Sequence, residues 1–187
     1  MAKLPSLPEN AHISDLFARF PGSRTAMLQF VQVVMREDGA LGIAERELIA
    51  AYVSGLNACT FCYGSHQIYA EAFGISEGVL EALLNDLDTA LVTDKMRALL
   101  GYVRLLNTLP ARITQARIDT VLAAGWSEDA LFEAVQICGL FNMMNRIIEG
   151  SGVRFDYAHS DGDHPAKRPG VDIRDHSYVA TPMGRRE

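Results

Sequence analysis

Basic residues are in the minority in this chain, 17 Lys and Arg against 23 Asp and Glu, for a formal charge of −6. That balance argues against a nucleic-acid surface or an anionic membrane, because both reward clustered cations. Long apolar runs are missing too; none reaches the roughly 18 residues that would read as membrane-spanning. The opening stretch, "MAKLPSLPENAHISDLF", has one lysine and early prolines but no apolar core, so it does not read as a secretory signal. Period-2 alternation is absent, which leaves no credible strand. Cysteine is scarce, three in 187 residues, and a cytoplasmic setting is the default expectation. In a reducing compartment paired cysteines are more often catalytic or metal-binding than structural.

Helical patterning fills the chain from Ile13 to Ser151. "SRTAMLQFVQVVMRE" opens at Ser23 and sets Met27, Phe30, Val31 and Val34 on one stripe. "ERELIAAYVSGLN" is apolar at Leu48, Ile49, Tyr52, Val53 and Leu56, and the stretch from Cys59 to Phe73 stops at Gly74. Ser76, Thr93, Thr114 and Ser127 are candidate N-caps for four further helices, the last running to Gly150 or Gly152. The expected fold is an all-α bundle of about seven or eight helices over residues 1–156. Residues 157–187 turn polar and rich in Pro and Gly, and read as an extended or partly disordered C-terminal arm. Val171, Ile173, Tyr178 and Val179 within it are suited to docking on a neighbouring subunit.

The chemistry-bearing stretch is "NACTFCYGSHQ", residues 57–67. On a helix, Cys59, Cys62 and His66 fall at i, i+3 and i+7 and share one face. Cys59 lies near the helix start, where unpaired N–H groups and the helix dipole favour a thiolate. Glu47, twelve residues earlier in a mostly apolar stretch, is carried to the depth of His66 if the chain folds back near Ser54–Asn57. A carboxylate beside an imidazole fixes its tautomer and poises it as a base. Three readings of the cysteines stay open on residue types alone: a redox pair, part of a zinc site, or two small core residues. Zinc would need a fourth ligand, for which the tail offers only His159, His164 and His176. Cys138 sits alone in an apolar helix and reads as core. Asn142, Asn145 and Arg146 interrupt that helix, either as structural caps or as a border of the cysteine pocket.

Glu47, eleven intervening residues, Cys59-x-x-Cys62, then three residues and His66 resembles the active-site pattern of AhpD-like alkylhydroperoxidases, within the carboxymuconolactone decarboxylase superfamily. The resemblance covers roughly residues 40–75 and extends loosely through "FNMMNRIIEGSGV", which is similar to a helix of the peroxidase-related branch. It implies an AhpD-like helical bundle, a homo-oligomer (dimer, trimer or hexamer) and hydroperoxide reduction by the cysteine pair, with no metal or organic cofactor. It further implies that Cys62 is the peroxidatic and Cys59 the resolving cysteine, that Glu47 and His66 relay protons, and that an external dithiol restores the pair. One position departs from the pattern: Phe61 stands where the best-known members carry a histidine. Two other functions compete, ring-lactone decarboxylation on the same scaffold and a non-enzymatic redox-sensing or zinc-stabilised oligomer.

Overall fold

A computed structural model describes residues 3–109, 111–157, 164–167 and 169–179. Eight α-helices and no strand occur among them: α1 Ile13–Arg19, α2 Arg24–Arg36, α3 Ile43–Leu56, α4 Thr60–Ala72, α5 Val79–Asn85, α6 Asp94–Asn107, α7 Gln115–Ala123 and α8 Glu128–Ser151. Short 3-10 turns lie at Pro21–Ser23, Pro165–Lys167 and Ile173–Asp175. The expected caps hold for α6 and α8, where Thr93 and Ser127 accept from the backbone N–H of Met96 and Ala130. α5 starts later than Ser76, at Val79, because Gly78 takes a left-handed conformation as its N-cap.

α3 is the axis of the bundle. Leu48 through Val53 are buried in succession, the pattern of a helix enclosed on all sides, and it packs on α2, α4, α5, α6 and α8. Each large apolar side chain fully buried there contributes about 1.5–3 kcal/mol. Arg46 ties α3 back to the preceding loop. Its guanidinium donates to the carbonyls of Leu41 at 3.0 Å and Glu37 at 2.6 Å, while Glu133 of α8 accepts from the N–H groups of Ala40 and Leu41. This lock sets α2 against α3, and so decides what the last residue of α2 can reach.

The α3–α4 corner is a tight C-terminal turn. The Cys59 N–H donates to the Ser54 carbonyl at 2.9 Å and the Ala58 N–H to that of Gly55 at 3.0 Å. Glycine normally fills the left-handed position of such a turn, yet here it is Ala58, at φ 55°. The corner folds α4 back along α3 and places Cys59 as the N-cap of α4.

A second apolar cluster covers that corner, formed by Leu7, Ala11 and Leu16 with Cys59, Phe61, Cys62, Ile68, Ile148, Val153, Phe155 and Tyr157. His12 caps α1, accepting from the Ser14 N–H through Nδ1 and bonding the Tyr157 hydroxyl through Nε2 at 2.9 Å. The C-terminal segment, expected to reach a neighbouring subunit, lies over its described residues on α2 and α4 of the same chain. Tyr178 N–H and Ser177 Oγ donate to Gln32 Oε1, and His164 meets Ser65. His164, His176 and Tyr178 bury aromatic surface there, which outweighs the polar composition that reads as a solvated arm.

Candidate active site

Glu47 is fully buried, and its two oxygens face opposite partners. His66 Nδ1 lies 2.6 Å from Oε2, and Arg36 Nη1 donates to Oε1 at 2.5 Å. A carboxylate only accepts, so Nδ1 carries the imidazole hydrogen and Nε2 is left as the basic nitrogen. Burial alone would raise the Glu47 carboxyl, but the charges of His66 and Arg36 facing it bring it below the usual carboxylate range. Glu47 is thus a fixed anion that orients the histidine. Phe141 closes the other side of the ring edge-on, with centroids 4.5 Å apart.

Arg36 is the residue that sequence reasoning missed. A signal for it existed, because a carboxylate in an apolar helix demands a countercharge. Nothing in the pattern said that the last residue of α2 would supply it. Its guanidinium also lies over the rings of Tyr178 at 4.8 Å, Tyr69 at 5.2 Å and Phe73 at 5.5 Å. Tyr178 Oη accepts from Arg36 Nη2 and faces Glu47 Oε1, both at 3.4 Å.

Cys59 and Cys62 are free thiols, both buried, at the N-cap and in the first turn of α4. Hydrogen bonding from the Cys62 thiol, opposed by burial, lowers Cys59. The same bond, with burial added, raises Cys62 well above an ordinary thiol. Of the two thiols, Cys59 is therefore the one that ionises first. His66 stands one helical turn beyond Cys62 on the same face.

Asn145 joins the two halves of the site, and its side chain is one of the groups that pulls Cys62 down. It belongs to a directional ladder of donors. Arg146 donates to Asn142, Asn142 to Asn107, Asn107 to Asn57, Asn57 to Asn145, and Asn145 to Ser54 Oγ, at 2.6–3.1 Å. The three polar residues that interrupt α8 thus anchor the corner preceding Cys59, and one of them also borders the thiols. Cys138 is buried in the core as expected, and burial pushes its thiol up to about 11.

The tail histidines cap the far side. His164 is fully buried, with Nε2 3.0 Å from Ser65 Oγ. Its Nδ1 accepts the Ala166 N–H, so Nε2 carries the hydrogen and His164 cannot act as a base toward Ser65. Burial lowers His164 to about 3 and His176 to about 4, so both are neutral at pH 7. His176 Nε2 bonds Tyr69 Oη at 2.7 Å. His159 lies outside the described residues. Among the described residues, no three His, Cys, Asp or Glu side chains converge as a metal set. None of the described helices is long and apolar enough to cross a membrane.

Comparison with known proteins agrees with this picture. Residues 21–105 match the carboxymuconolactone decarboxylase family. The fold is similar to the alkylhydroperoxidase AhpD core of an uncharacterized peroxidase-related protein from Ralstonia eutropha, at 20% identity, 76% of this chain, 75% of that one and a TM-score of 0.71. A second uncharacterized peroxidase-related protein, from Silicibacter sp., matches at 21% identity over 75% of this chain and 73% of its own, with a TM-score of 0.69. The debrominase Bmp8, solved with 2,3,4-tribromopyrrole, matches at 17% identity over 78% and 76%, with a TM-score of 0.65. No curated protein matches the chain. The family match spans less than half of the chain, and the solved structures show that it shares the AhpD-like helical fold.

Proposed function

We propose that this AhpD-like chain is a thiol-dependent peroxidase that reduces hydroperoxides through Cys59 and Cys62, with His66 as the base and Glu47 as its fixed orienting anion. The observation that carries the reading is the 2.6 Å contact of His66 Nδ1 with the fully buried Glu47, which leaves Nε2 basic one turn from a high-pKa thiol. A buried thiol held protonated needs a positioned base, and this arrangement supplies one.

The cycle balances in three steps. His66 takes the Cys62 proton, directly or through a water, and the thiolate attacks the O–O bond of the hydroperoxide. The alcohol leaves with the proton from His66, and Cys62 becomes a sulfenic acid. Cys59 gives its proton to His66, its thiolate attacks that sulfur and breaks the S–O bond, a Cys59–Cys62 disulfide forms, and the departing hydroxide takes the proton from His66 and leaves as water. The lowered pKa of Cys59 suits it to this second attack. An external dithiol reopens the disulfide by exchange. A reducing, cytoplasmic setting and assembly as a homo-oligomer complete the proposal.

Turnover of tert-butyl hydroperoxide with excess dithiothreitol tests it in wild type, Cys59→Ser, Cys62→Ser and His66→Gln. The proposal requires both serine variants to be inactive and His66→Gln to lose about 10²–10⁴-fold, the usual worth of a positioned base. Undiminished turnover in either serine variant contradicts it. The same dithiol could instead deliver two electrons to a carbon–bromine bond, and the likeness to Bmp8 makes a brominated pyrrole the appropriate competing substrate.

A further inference from the structure

The C-terminal segment contributes more to this site than its polar composition predicts. Tyr178 lies half-buried over the Arg36 guanidinium at 4.8 Å, and its hydroxyl reaches both Arg36 Nη2 and Glu47 Oε1. Behind it His176 stacks edge-on against Tyr178, with ring centroids 4.8 Å apart, and bonds Tyr69. His164 fills the gap between Tyr69 and Tyr157, with ring centroids at 4.3 and 5.0 Å. Gln32 of α2 fixes the approach by accepting from the Tyr178 N–H and from Ser177 Oγ. The result is a wall of tail residues over α2 and α4. Behind it the Arg36 side chain is only 4% exposed and Glu47 not at all.

We propose that residues 164–167 and 169–178 form the outer wall of the active site, and that Tyr178 is a positioning residue whose ring shields the Arg36–Glu47 pair and so keeps the carboxylate aimed at His66. This rests on the reading of Glu47 and His66 as orienter and base. The groups facing Glu47 are Arg36 from α2, His66 and Tyr69 from α4, and His164, His176 and Tyr178 from the tail. Without the tail ring, water reaches the ion pair from the side that Tyr178 now covers. An ion pair in water couples far more weakly than the same pair in a dry site, so the carboxylate holds the imidazole less firmly.

The test uses full-length protein and a readout independent of peroxide. The rate of Cys62 alkylation by iodoacetamide is followed from pH 6 to 11.5, a range that reaches toward the raised Cys62 thiol, by peptide mass spectrometry in wild type, Tyr178→Ala and Tyr178→Phe. Tyr178→Ala is expected to move the midpoint upward by about half a pH unit or more, as a weakened charge contact does. Tyr178→Phe, which retains the ring over Arg36, should restore the wild-type profile. A Tyr178→Ala profile superimposable on wild type overturns the proposal. So does a Tyr178→Phe profile shifted as far as the alanine variant, because the hydroxyl and not the ring would then carry the effect. Thermal melts of the three proteins accompany the titration, since a packing role alone lowers the melting temperature without moving the midpoint. If wild type loses no thiols to hydroperoxide, the peroxidase reading falls, while the alkylation profiles still judge the wall.

Discussion

Replacing Glu47 with Gln keeps the shape of the side chain and removes its charge, and two separable losses follow. The first is stability. The Arg36 side chain, 4% exposed, would face a neutral amide in place of its counterion. Breaking a buried pair by removing one partner costs about 3–5 kcal/mol. That is a large share of the roughly 5–15 kcal/mol that holds a domain together. For a chain of this size it lowers the melting temperature by roughly 2–4 °C per kcal/mol. The second loss is chemical. The Gln oxygen can accept from Arg36 or from His66 but not from both, and pairing it with Arg36 turns the amide NH2 toward His66 Nδ1. Nδ1 then becomes the acceptor, the hydrogen moves to Nε2, and the base is gone. Urea titration of Glu47→Gln, Arg36→Met and the Arg36→Met/Glu47→Leu pair measures the first loss; single-turnover oxidation of Cys62 measures the second. The double variant should recover most of the stability that either single variant loses, since an apolar pair of similar size substitutes well for a buried ion pair. Glu47→Gln within about 1 kcal/mol of wild type, with an unchanged oxidation rate, would refute both steps of the reasoning.

Three further outcomes are expected. His164 has its folded pKa depressed to about 3 by burial, so its contribution to docking is complete above its ordinary pKa and is lost as pH falls from there toward 3. At pH 5 the loss amounts to roughly 2 kcal/mol, about 1.4 per unit over one and a half units, and His176 acts in the same direction. Hydrogen exchange of the tail peptides, corrected for intrinsic rates, should therefore show less protection at pH 5 than at pH 7.5, and equal protection would contradict the buried neutral histidine. Ala58→Gly should stabilise the protein by about 0.5–1 kcal/mol in denaturant titration, since a left-handed alanine is strained and glycine is not. Asn145→Ala should cost about 1–3 kcal/mol by leaving Ser54 and Asn57 without their partner, and should slow Cys62 oxidation as well. A stability loss with an unchanged oxidation rate would assign Asn145 to the corner alone.

Helix periodicity and capping residues made the bundle legible in advance, because Thr93 and Ser127 act locally and the apolar stripe of α2 needs only a core to face. The meeting of Glu47 with His66 was legible too, since a hairpin between α3 and α4 brings those depths together. What could not be read depends on contacts between distant segments. Arg36 reaches Glu47 only because Arg46 and Glu133 lock the intervening loop, a tertiary arrangement with no local signature. The tail was harder still. Its composition reads as solvated, and three aromatic rings, His164, His176 and Tyr178, bury themselves against partners roughly a hundred residues away or more. Ala58 was invisible for another reason, since the turn asks for glycine and the chain supplies a residue that gives no turn signal.

The central claim is that Cys59 and Cys62 act together as an electron pair for a hydroperoxide. Counting free thiols in the denatured protein before and after one equivalent of hydroperoxide tests it most directly. The account predicts that three thiols become one within seconds, that Cys138 is the thiol left, and that the loss vanishes when either Cys59 or Cys62 is serine. Three unchanged thiols in the wild-type protein would contradict it.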